Sequence, residues 1–182
     1  MSFLTEGYPT GADGFELHTD FRIWLDFERD VGSVNTCSDL IAVVEKYFKS
    51  PPPQNPEAAI SVLMKFYSAE NMSRKERRAS GIMPRAYDFE IDASPIYSAF
   101  IAQYGIDLYT ANLHWHAFIH LFYGLTEEHK ITKLMQFRTV NTENIKDKEQ
   151  KKFYKKMKNT YRLPALKPEF LDDQIGEVFA GI

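Results

Sequence analysis

The sequence predicts an all-α fold of about seven helices in one compact domain, with a short N-terminal β-hairpin. Seven segments repeat their apolar residues at helical spacing, and most open on a capping residue and close at glycine or proline. At 182 residues the chain can bury one substantial core. No internal repeat or low-complexity tract interrupts the pattern.

The elements follow in order. "GADGFELHTDF" alternates around Asp13-Gly14, which marks a tight turn, so residues 1–19 form an arm or short hairpin. Asp20 or Thr19 caps a helix reaching about Asp30, with Phe21, Trp24 and Leu25 on one face and Gly32-Ser33 after it. Ser38 caps a second helix with Leu40, Ile41, Val44 and Phe48 inward, stopped by prolines 51 to 53. The third begins at Asn55-Pro56 and carries a stripe of Ile60, Leu63, Met64 and Tyr67. Residues 71–85 hold Arg74, Lys75, Arg77, Arg78 and Arg85 with no apolar period until Ile82, which predicts a mobile basic loop.

A fourth helix runs from Asp92–Pro95 to Gly105, where a left-handed residue can end it. A fifth runs from an Asn112 cap to Gly124, and Thr126 with Glu127 and Glu128 starts a sixth that reaches about Arg138. The seventh is the lysine-rich segment ending at Pro164. The helical domain therefore covers 20–164, and 165–182 form an acidic C-terminal tail.

Composition removes several function classes. Cys37 is alone, so neither an internal disulfide nor a cysteine zinc site can form, and a reducing compartment is the expectation. The start "MSFLTEGYPTG" lacks the basic patch and apolar run of a secretory signal. No apolar run reaches the ~18 residues of a membrane span. With a net charge of −3 and a pI near 6.0, any attraction to phosphate must be local.

The local candidate is "NIKDKEQKKFYKKMKNTYRLP", residues 144–164, with seven lysines and one arginine against two acids. On a 3.6-residue period Phe153, Met157, Tyr161 and Tyr154 form a ridge predicted to be core, and Lys151, Lys152, Lys155 and Lys156 lie outside it. Such lysines either solvate a structural helix or meet a partner. Arg162 is the one arginine able to grip phosphate bidentately, which disfavours nucleic acid. The ridge is too narrow and too rich in tyrosine for a membrane surface. A protein partner of acidic or mixed surface is the remaining possibility.

In "NLHWHAFIHLFYGL", His116 and His120 lie four apart and share a helical face, as two zinc ligands can, while His114 is about 120° away. A metal-dependent enzyme built on that pair would need a third ligand, and Ala117 stands where the glutamate of H-E-x-x-H belongs. Packing among Trp115, Phe118 and Phe122 is the better expectation, with no metal, cofactor or catalytic residue. The carboxylates of Asp88, Glu90 and Asp92 are expected in a solvated segment.

Three stretches together resemble the gene-product-fifteen family of small phage proteins, encoded in the tail modules of siphophages and prophages of Gram-positive bacteria. They are "HTDFRIWLDFE", similar to the family's Asn-Thr-Asp-Phe-Arg-x-Trp start; "IYSAFIAQYGIDL" with "LHWHAFIHLFYGL"; and Ile145 to Pro164. His116 stands where the family has a second tryptophan, which weighs further against a metal site. The resemblance implies a helical fold whose motif core is Phe21, Trp24, Tyr97, Phe100, Trp115, Phe118, Phe153, Met157 and Tyr161. It also implies a non-enzymatic role in tail assembly in the cytoplasm of the bacterial host. The expected role is a chaperone that binds the tape-measure protein and other tail assembly proteins, with homo-oligomers also open; a structural tail or connector component of the virion is the alternative.

Overall fold

A computed structural model describes residues 6–34, 36–68 and 85–164. The loop expected at 71–85, apart from Arg85, and the tail at 165–182 lie outside them. Among the described residues the fold is all-α, with one two-stranded antiparallel hairpin, β1 (Gly11–Ala12) and β2 (Phe15–Glu16). The helices are α1 (Phe21–Leu25), α2 (Phe27–Gly32), α3 (Cys37–Tyr47), α4 (Pro56–Tyr67), α5 (Ala93–Tyr104), α6 (Trp115–Tyr123), α7 (Lys130–Thr139) and α8 (Lys148–Thr160), with a 3₁₀ turn at Thr142–Asn144.

The hairpin follows from its turn. Asp13 and Gly14 both have positive φ, 50° and 86°, the combination whose twist matches a two-residue hairpin. A side chain at Gly11 would lie 1.8 Å from the Phe15 carbonyl oxygen, so that strand position also requires glycine.

Packing groups the described chain into two compact units. The first holds residues 6–68 and 112–119, the second 85–111 and 120–164. In the first, Asp20 caps α1 by accepting from the Arg22 N–H at 2.9 Å. The single helix expected to Asp30 is interrupted at Asp26. A continuous helix would swing Phe27 about 120° from Phe21, whereas the interruption lets Phe21, Trp24 and Phe27 all be buried. Leu25, expected beside them, is half-buried.

The cap of α3 is Thr36 rather than Ser38. It exchanges hydrogen bonds with Asp39 in a capping box, which satisfies two otherwise orphaned donors. Leu40, Val44, Tyr47 and Phe48 face inward, but Ile41 is exposed, since the stripe runs at i, i+4, i+7 and i+8 and Ile41 falls beside it. Asn55 caps α4 over Pro56 as expected. Phe66 and Val62 join its buried stripe, and Met64 sits at the exposed edge. Trp24 is the centre of this unit, with ring centroids 4.9 Å from Tyr47, 4.9 Å from Phe66 and 5.3 Å from Phe27.

Residues 112–114 do not open α6. They lie extended against the segment before α1, where Phe21 N–H donates to Leu113 O at 3.1 Å and Trp115 N–H to Thr19 O at 2.7 Å. Pairing with that segment outcompetes the helix start that Asn112 signals.

In the second unit, Ile96, Phe100, Phe122, Leu125, Ile131, Leu134 and Leu163 are buried. Gly105 ends α5 in the left-handed region at φ 66°. Tyr97 is half-buried rather than core, because its hydroxyl reaches Asp107 at 3.3 Å and its ring meets exposed Tyr109. Helix α7 starts at Lys130, later than Thr126 suggests, because the Gln103 side-chain oxygen takes both the Thr126 N–H at 2.9 Å and the His129 ring at 2.8 Å.

Candidate protein-interaction surface

Asp147 starts α8 by accepting from the Gln150 N–H at 2.7 Å. The helix packs on α7, yet none of its residues is buried. Phe153, Met157 and Tyr161, expected as core, are corrected here: Phe153 is 49% and Tyr161 37% exposed, and Met157 is half-buried.

The helix is turned by its lysines. Lys151 bonds Glu143 at 3.1 Å, and Lys158 donates to the Val140 carbonyl at 2.9 Å, just beyond α7. Lys151, Tyr154 and Lys158 are spaced i, i+3, i+7, so they form the face turned toward the rest of the unit. The lysine stems supply part of its apolar cover and their heads find acceptors. Tyr161 stacks on Phe137 at 5.9 Å, and the rings of Tyr154 and Phe153 both stand 6.1 Å from it, Phe153 at the exposed rim of the contact.

Of the four lysines assigned to a partner, Lys151 and Lys155 share Glu143, at 3.1 and 3.4 Å. Those two cations hold the Glu143 carboxyl below its ordinary range, Lys151 through its hydrogen bond first. Lys152 and Lys156 are exposed and have no acidic partner among the described residues. They flank Phe153 at i−1 and i+3.

Sequence reasoning missed the other polar feature of this unit. Asp92, expected in a solvated segment, is 2% exposed, and Arg138 is 6% exposed. Arg138 grips the Asp92 carboxylate with both Nη atoms, at 2.6 and 2.9 Å, and also donates to the carbonyls of Ala86 at 3.0 Å and Tyr161 at 2.7 Å. Asp92 Oδ2 also accepts the Asp88 N–H at 3.0 Å. The signal was present, since Arg138 continues the Ile131–Leu134 stripe at helical spacing. An arginine on an apolar face calls for a buried partner.

His116 belongs to the first unit and His120 to the second. His116 is buried and its Nε2 bonds the Phe66 carbonyl at 2.8 Å, whereas His120 is exposed. Among the described residues no group of three or more His, Cys, Asp or Glu side chains is placed to hold a metal ion.

His114 Nε2 lies 2.9 Å from the Pro9 carbonyl, and its Nδ1 accepts the His116 N–H at 3.0 Å. A carbonyl can only accept, so Nε2 carries the proton and the ring is neutral. Burial lowers its pKa, the Pro9 contact opposes that, and Lys49 lowers it further. The rings of Tyr8, His116 and Phe66 complete its surroundings.

A folded pKa below the unfolded one means that the unfolded chain binds the proton first. Stability is therefore retained above about pH 6.5 and falls as the pH drops toward the folded value. Urea midpoints at about pH 7.5 and about pH 5.5 should show that loss, and His114→Gln, whose amide can still donate to the Pro9 carbonyl without a titratable ring, should reduce it. Equal losses in both proteins would remove His114 as the cause.

A family model described as Bacteriophage Gp15 protein matches residues 8–163. The chain belongs to this family. Neither a curated protein nor a solved structure matches it. The match spans the hairpin, every described helix and Leu163, so the lysine surface and the Arg138–Asp92 pair both lie within this phage family's span. No described helix is long and apolar enough to cross a membrane.

Proposed function

We propose that this phage protein is a non-enzymatic tail assembly chaperone that holds the tape-measure protein in the cytoplasm of the bacterial host and leaves before the tail matures. Family membership supports a phage role. The observation that carries the partner site is α8, a helix with no buried residue that offers Phe153 between Lys152 and Lys156. A coat that must later be released is served by a polar-rimmed surface of this kind, whose charges favour rapid encounter and whose small apolar centre limits residence. Other tail assembly proteins, or further copies of the chain, would meet the same face. Such a role needs no cofactor, membrane or nucleic acid.

Co-expression with the tape-measure protein tests it. Reversing Lys152 and Lys156 to Glu should leave the helical fold intact, because neither side chain holds the helix against its unit and exposed charges contribute only ~0–1 kcal/mol each. The tape-measure protein should nevertheless move into the insoluble fraction, and mass spectrometry of purified particles should find the wild-type chain absent or in trace. Stoichiometric amounts in the particle would instead make it a structural tail or connector component.

A further inference from the structure

The tertiary position of Phe153 makes the chemistry of the partner legible. On the exposed side of α8, Glu149, Lys152, Phe153 and Lys156 follow at i, i+3, i+4 and i+7, so they form one stripe. Lys151 and Lys155 share the single carboxylate of Glu143, and Lys158 is occupied by the Val140 carbonyl. Lys152 and Lys156, which have no acidic partner among the described residues, stand one helical turn apart with a half-exposed phenyl ring between them.

We propose that this stripe docks an acidic amphipathic helix of a partner protein, with an apolar side chain on Phe153 and carboxylates about one turn apart on Lys152 and Lys156. This rests on the partner-site reading of α8 given above and names the class of segment bound there. Charge complementarity selects it. Two ammonium groups without an acidic partner among the described residues, bracketing an apolar ring, match two carboxylates bracketing an apolar residue, the helix-surface spacing of i and i+4 being the same on both sides. Nucleic acid fits less well. Glu149 lies on the stripe and Glu143 beside it, both repelling phosphate, and α8 carries no arginine to bind it bidentately.

The test uses the full chain and three fluorescent helical peptides with identical leucine positions, bearing glutamate, glutamine or lysine at the flanking sites, together with a short DNA duplex. Anisotropy at low salt should show the glutamate peptide binding at least about tenfold more tightly than the glutamine peptide, with the lysine peptide and DNA weaker still. Lys152→Glu with Lys156→Glu should invert the order so that the lysine peptide binds best, a gain that misfolding cannot imitate. Phe153→Ala should weaken the glutamate peptide while keeping its rank. Equal binding of the glutamate and glutamine peptides, tighter binding of DNA, or an unchanged order in the charge-reversed protein would each overturn the proposal. So would a wild-type dimer that the reversal dissociates while no peptide binds, which would give the face to a second copy.

The chaperone reading fails separately. If the glutamate peptide binds with the expected preference but the tape-measure protein stays soluble without this chain, the docking class stands and the tape measure is not its client. If the chain keeps the tape measure soluble and the charge reversal leaves both client and peptides unaffected, the client stands and the stripe is not its site.

Discussion

Replacing Arg138 by Met should destabilise the second unit by about 3–5 kcal/mol, the scale seen when one member of a buried ion pair is removed. Asp92 would keep its charge with Asp88 N–H as a remaining donor, and the carbonyls of Ala86 and Tyr161 would lose theirs. Asp92→Asn should fall in the same range because it leaves the guanidinium buried without its counter-charge. The double change Asp92→Leu with Arg138→Met should cost less than the sum, since two apolar groups need no partner. Urea unfolding followed by circular dichroism measures the losses. Hydrogen exchange should show faster exchange at the end of α8, where Arg138 holds the Tyr161 carbonyl, and unchanged protection there would mean that Arg138 does not seat this helix.

Trp24→Ala should cost the first unit a similar amount, about 3–5 kcal/mol, the range for deleting a buried aromatic side chain. The indole has no exposed surface, and it contacts rings from α2, α3 and α4. Its Nε1 donates to the His18 carbonyl at 2.7 Å. Trp24→Phe keeps much of the ring packing and loses that bond, so it should cost nearer ~1–2 kcal/mol. Against a typical total of 5–15 kcal/mol the alanine variant is expected to give poor soluble yield. Equal urea midpoints for Trp24→Ala and wild type would show that these ring contacts are not what holds the unit together.

Local signals carried far. The Asp13-Gly14 turn, the Asn55-Pro56 start and the Gly105 end all stand where the residues put them, because each depends on φ preferences and caps that act within a few residues. Phe21, Trp24, Phe100, Trp115 and Phe118 are buried as expected, since large aromatics at helical spacing rarely have another use. Helix starts failed where a distant partner competed for the same backbone groups. Phe21 and Thr19 pair with residues 113 and 115 and so keep 112–114 out of α6, and Gln103 delayed α7.

The amino-acid sequence by itself determined that residues 148–160 form a basic amphipathic helix, that the protein is all-α, and that its motifs are those of a phage family. Only the tertiary structure decided which side of that helix faces outward. An amphipathic pattern with lysines nearly all round leaves the rotation open, and a turn of about 100° exchanges Phe153 for Tyr154. The choice is made by Glu143 and Val140, which supply acceptors for Lys151 and Lys158, and by Phe137, on which Tyr161 stacks. The same holds for Asp92 and Arg138. They lie 46 positions apart; Asp92 alone reads as a surface charge, and the place of Arg138 on the Ile131–Leu134 stripe does not name its partner. Only folding, by removing water from both, turns them into a single buried pair.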